Sequence, residues 1–201
     1  MAASPEDIVN QALRRIGYPT PIGYLLEGSP AARAAVEVYG QTRDNLMRDA
    51  DWDFARQSAL LILQKTAPIN GYGWANPWSN VYPPVPWLFQ YAYPVGALLV
   101  RSVRPTPTIL LAFDPQPNIF TLADDPTQTP SKVILTNLAN AVAVYTAQIT
   151  DPTLWNASFT EALIAALATR LQAALNPEPN AEKGRVQEEA QTAGMAVARP
   201  G

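Results

Sequence analysis

The feature that most restricts this chain is the segment from 66 to 131, which holds twelve of its twenty prolines and only five charged residues. Proline locks φ and removes a backbone donor, so long helices and central strands are excluded where it recurs this densely. Short strands, turns and extended segments remain. Val85 to Tyr93 and Val95 to Val103 are apolar, while Thr108 to Phe113, Asn118 to Leu122 and Lys132 to Thr136 read as strands bounded by Pro and Asp turns. A small antiparallel sheet with long loops is expected, inserted into a body of different composition.

The flanking sequence carries helix signals. Ser4 is an N-cap, Pro5 suits the first helical position, Asp7 favours the dipole, and Ile8, Ala12, Leu13 and Ile16 share one face before Gly17 and two prolines end the run. Ser29-Pro30 repeats the start signal, and Ala35, Val38, Tyr39, Leu46 and Ala50 form a rough stripe as far as Asp51. The run Ala59 to Leu63 suits a strand or a buried connection. Asp151-Pro152 opens a last helix with Trp155, Phe159, Leu163, Leu167, Leu171 and Leu175 at steps of four, with a second start available near Asn156. The fold class expected is mainly α: a helical bundle body from residues 1–66 and 135–176, a Pro- and aromatic-rich β subdomain at 67–134, and a polar C-terminal arm at 177–201.

Charged residues make up 15% of the chain, against about 25% in an average soluble protein. A lightly charged surface favours association. The net charge of −3, with 14 scattered Lys and Arg, argues against a surface that wraps nucleic acid. With no Cys and no His, the chain has no disulfide, no zinc site of the usual ligands, and no Cys-His or Ser-His nucleophile. No metal or cofactor is expected. Glu6 and Asp7 stand where a signal peptide needs basic residues, and no apolar run approaches the ~18 residues of a membrane span, so a cytoplasmic protein without a membrane partner is expected.

Asp49-x-Asp51-x-Asp53 imitates the start of a calcium loop, but Phe54 replaces the required Gly and Leu60 the bidentate Glu. Asp124-Asp125 and Glu188-Glu189 are adjacent carboxylates that suit a turn and a helix surface better than a hydrolytic pair, which must face one cleft from separate positions. Gly71-Tyr72-Gly73-Trp74 lacks the Lys-Ser/Thr of a phosphate loop and reads as a loop tip. Trp74, Trp78, Tyr82, Trp87, Tyr91 and Tyr93 suit a protein contact first, internal packing second, and ligand stacking last, since 66 to 100 holds no basic residue.

Order and spacing add a resemblance. Val9-Asn10-x-Ala12-Leu13-x-x-Ile16-Gly17, Glu27-Gly28-Ser29, Tyr39-x-x-x-Arg43-Asp44 and Trp52-x-Phe54-Ala55 are similar to the tail tubular protein A family, the head-to-tail adaptors of short-tailed phages. The likeness resumes at Pro84-Val85-Pro86, at Tyr91-x-Tyr93-Pro94, where Val95 replaces the family's usual Asp, and at Asp151-x-x-x-Trp155-x-x-x-Phe159-x-x-Ala162-Leu163. It implies a non-enzymatic ring, in that family typically of about twelve copies. Such a ring docks beneath the portal, connects capsid to tail or nozzle at the virion neck, and helps retain DNA that passes without sequence-specific contact. On composition and position, Arg43, Asp44 and Arg48 are expected between subunits, Trp74, Trp78, Tyr82 and Trp87 toward the tail, and Arg185, Glu188, Glu189 and Arg199 toward the portal. The acidic balance predicts a weakly negative channel. A stopper or head-completion protein is the alternative, and a tail-associated glycan-binding or glycan-hydrolysing protein a more distant one.

Overall fold

A computed structural model describes residues 4–69, 78–106 and 119–175. The expectation of a mainly α protein is overturned: these residues are 37% helical and 26% strand, with three α-helices and two antiparallel sheets of three and four strands. Two compact units divide them. One comprises the described residues of Met1–Leu46 and Thr150–Gly201, the other Met47–Ile149.

In the first unit, α1 (Pro5–Arg15) begins with a reciprocal capping box: Asp7 N donates to Ser4 Oγ, and Ser4 N donates to Asp7 Oδ2, both at 3.1 Å. It ends where Gly17 takes φ +72°, and Tyr18 N returns to Leu13 O at 3.0 Å. Helix α2 (Pro30–Asp49) follows, and its last three residues, from Met47, belong to the second unit. The chain then reappears in this unit at a short 3-10 turn, Pro152–Leu154, and α3 (Ala157–Leu175). Asn156 caps α3 by accepting from Phe159 N at 2.8 Å, which separates the turn from the helix. Ile8, Val9, Ala12 and Leu13 of α1 are buried, as are Phe159, Leu163, Ile164, Leu167 and Leu171 of α3. Burying each large aliphatic side chain contributes ~2 kcal/mol, which makes this apolar seam the main source of the unit's stability.

The second unit holds seven strands. These are β1 (Arg56–Leu60), β2 (Leu63–Thr66), β3 (Phe89–Ala92), β4 (Ala97–Pro105), β5 (Phe120–Asp124), β6 (Lys132–Thr136) and β7 (Ala141–Ala147). One sheet has the order β1-β7-β4 and the other β2-β3-β6-β5. The chain passes from the first sheet to the second at Leu61 and Ile62, where Leu61 N donates to Ala141 O and Ile62 O accepts from Ala92 N, both at 2.9 Å. Leu61, Tyr91, Val100, Val103, Ile134 and Tyr145 form one core shared by both sheets. Strand β7 lies in the stretch assigned to the helical body. Its alternation is written in alanine, with Ala141, Ala143, Tyr145 and Ala147 buried, so its pattern is quiet in sequence although it is the central strand of its sheet.

Candidate functional site

The residues that carry the phage resemblance are fixed by one another. Asn10 donates from Nδ2 to Ile22 O at 2.9 Å and accepts from Ile22 N at 2.8 Å, so one amide ties the proline-rich connector to α1 as a strand partner would. Glu27 gathers the next turn: it accepts from Gly23 N at 2.7 Å and from the Ser29 hydroxyl at 2.6 Å. The Ser29 bond first, then the Gly23 bond, hold its carboxyl below the usual range. Gly28 takes φ +80°, which a side chain would strain, and Ser29 then caps α2 by accepting from Ala32 N at 3.2 Å. The Trp155 and Phe159 rings meet edge-on at 5.1 Å. Each of these motifs therefore sets a turn, a cap or a packing contact.

The residues expected between subunits lie near the end of α2. Arg43 Nε donates to Asp44 Oδ1 at 2.8 Å, and the two side chains are only 11% and 19% exposed, while Arg48 is exposed. Arg43 and Asp44 thus neutralise each other within one chain. Tyr39, one turn earlier, is buried, and its hydroxyl has no partner among the described residues. Burial pushes its pKa up to about 12.

The aromatic segment divides. Tyr91 is core, donating its hydroxyl to Leu138 O at 2.8 Å, and Tyr93 is half-buried beneath the Lys132 ammonium, 4.2 Å from the ring centre. Trp78 and Trp87 are half-buried, whereas Tyr82, Val81, Val85 and Leu88 are exposed. Those four give the outer surface of the β2–β3 connection an apolar character. Trp74 lies outside the described residues, as do Arg185, Glu188, Glu189 and Arg199, the whole arm 177–201, the Gly71–Trp74 loop and the strand expected at 108–113.

Sequence reasoning missed two polar constellations. The first surrounds Asp125, placed in a turn by sequence but fully buried in the structure. Its carboxylate accepts from Lys65 Nζ, from Gln90 Nε2 at 2.7 Å, and from Thr127 N at 2.9 Å. Lys65, itself buried, also donates to Ser79 O at 2.6 Å, which pins the β2–β3 connection over the outer face of the four-stranded sheet. Burial pushes the Asp125 pKa up, but the Lys65 ammonium and the hydrogen bonds outweigh it and hold the group at about 2. A 60-residue separation between Lys65 and Asp125 hides this pair from any local motif.

The second lies on the outer face of the three-stranded sheet, in a cleft of about 480 Å³ lined by Asp51, Arg56, Ser58, Arg101, Ser102 and Arg104 among others. Arg56 and Arg101 stand on either side of the central strand near Thr146, and Ser58 and Ser102 flank Val144. A register shift between Val100 and Ser102 makes Arg101 the extra residue of a bulge. The bulge keeps Val100 and Val103 in the core while two successive side chains, Arg101 and Ser102, line the cleft. The Arg101 guanidinium donates to Thr146 Oγ1 at 2.7 Å and to the carbonyls of Met47, Arg48 and Ala50 at the end of α2. Arg56 forks onto Asp51, and that bond holds the Asp51 carboxyl below its ordinary range.

Among the described residues no three Asp, Glu, Cys or His side chains gather to hold a metal ion, and no helix is long and apolar enough to cross a membrane. No family model matches the chain, and no curated protein matches it in sequence.

Proposed function

We propose that this chain is a structural head-to-tail adaptor of a tailed phage, acting as a ring of about twelve copies that docks beneath the portal and gives the tail its platform. The observation that carries the reading is the sequence likeness to that family, whose residues here are those that interlock: Asn10 with Ile22, Glu27 with Gly23 and Ser29, and Trp155 with Phe159. A shared scaffold is what such a likeness preserves when no reaction has to be performed. The low charge of the chain and the exposed Val81, Tyr82, Val85 and Leu88 support an associating role. In this reading the chain is not an enzyme, acts in the virion neck after assembly in the host cytoplasm, and contacts portal, tail and neighbouring copies.

The test is to mix the purified protein with portal rings of the same virus and image the product by negative-stain microscopy, beside a sample lacking residues 178–201. A second ring on the portal, lost on truncation, is the expected result. Bare portals after mixing, with density appearing only on portals already loaded with another adaptor, would instead make the chain a stopper or head-completion protein.

A further inference from the structure

We propose that the outer face of the β1-β7-β4 sheet is an oxyanion site that takes a phosphate group. Its lining has three guanidinium groups against one carboxylate, a local balance of +2, in a chain whose net charge is −3. Arg101 is braced by Thr146, Asp51 and the carbonyls at the end of α2, and Arg56 by Asp51 with Asp53 4.0 Å away, so the Nε and Nη2 donors of both are engaged and fix the two guanidinium groups before any ligand arrives. Arg104 is exposed and forms no ion pair or hydrogen bond among the described residues, which leaves its fork available. The register sets Arg56 and Arg101 on strands flanking β7, so their backbones are about 10 Å apart, room for one oxyanion between two long side chains.

The lining chemistry selects the ligand class. A guanidinium fork matches carboxylate and phosphate alike. The Arg104 fork, the outer Nη1 groups of Arg56 and Arg101 and the Ser58 and Ser102 hydroxyls, however, offer more donors than two carboxylate oxygens use, and a tetrahedral phosphate has the additional acceptors. Among the described residues no aromatic side chain lines the cleft, so they offer no platform for stacking a base, and recognition rests on the phosphate itself. That group can be free phosphate or the phosphodiester of a nucleic-acid backbone. The site stands independently of the adaptor reading, because its residues are not those that carry the family likeness.

The experiment is an amide NMR titration of the full chain with inorganic phosphate at constant ionic strength, repeated with a short DNA duplex. Saturable shifts at Ser58, Ser102 and Arg104 are expected, weakened about tenfold by Arg104→Gln. The same change of charge at Arg33→Gln, on exposed helix surface in the other unit, is expected to leave binding unaltered. Binding of both probes with a steep salt dependence for the duplex assigns a phosphodiester, and binding of phosphate alone assigns a free anion. Either supports the site. Unsaturable shifts, equal weakening by Arg33→Gln, or a response to oligoglutamate but not to phosphate would overturn it. Arg104→Gln removes no side-chain hydrogen bond or ion pair among the described residues, so unchanged thermal unfolding of that variant separates lost binding from lost structure.

Discussion

At Tyr39 the helical unit buries a hydroxyl that finds no partner among the described residues, and an unsatisfied hydroxyl is worth less than the carbon surface around it. Tyr39→Phe is therefore expected to hold stability constant or raise it by about 1 kcal/mol, read from urea unfolding. Loss of more than that would reveal a hydrogen bond supplied by a partner chain. Asp125 behaves oppositely. Its pKa falls from an ordinary 3.8 to about 2 on folding, so its contribution of about 2 kcal/mol is complete above pH ~5 and disappears as the pH drops through 3.8 toward 2. Asp125→Ala removes that acid transition and leaves the Lys65 ammonium buried without its counter-ion, an expected loss of about 3–5 kcal/mol at neutral pH. Lys65→Met with Asp125→Leu should recover most of it, since an apolar pair carries no desolvation penalty. A double variant as unstable as the single one would show that the pair is needed for the Ser79 and Thr127 contacts rather than for charge balance.

Elements differ in how far their own residues specify them. Helices α1, α2 and α3 announce themselves locally: Ser4 with Asp7, Ser29 with Pro30, and the Trp155–Leu171 spacing are all visible within a few residues, and each sits where the helix begins or packs. The strands near prolines are legible for the same reason, since β5 and β6 lie between turn residues. Strand β7 is not, because Ala141, Ala143 and Ala147 become strand only through pairing with β1 and β4, roughly eighty and forty residues away. The mainly α expectation fails on that non-local pairing. The arginine cleft is invisible for the same reason, assembled from Arg56, Arg101 and Arg104 by sheet order and a one-residue bulge. Arg101 also ends α2, placing a cation against the negative end of the helix dipole. Arg101→Met is expected to lower stability by about 1–3 kcal/mol, with amide exchange rising first in the last turn of α2. Ser29→Ala should cost about 1 kcal/mol and act at the opposite end of the same helix.

For the whole molecule, the division into two compact units predicts separate cooperative behaviour. A fragment spanning Met47–Ile149 is expected to fold alone, because Leu61, Tyr91, Val100, Ile134 and Tyr145 supply a core drawn entirely from within it. Dispersed amide resonances and a β-type circular dichroism spectrum would demonstrate this, and a collapsed spectrum would show that the helices are required. Its first and last strands are neighbours in one sheet, with Arg56 opposite Thr146. The strands that open and close it therefore stand side by side at Arg56 and Thr146, about 5 Å apart across an antiparallel pair. For inheritance this makes the strand-rich stretch a cassette: recombination at two adjoining points of the fold can exchange it for an unrelated domain with similarly adjoining ends while the helical segments on either side keep their lineage.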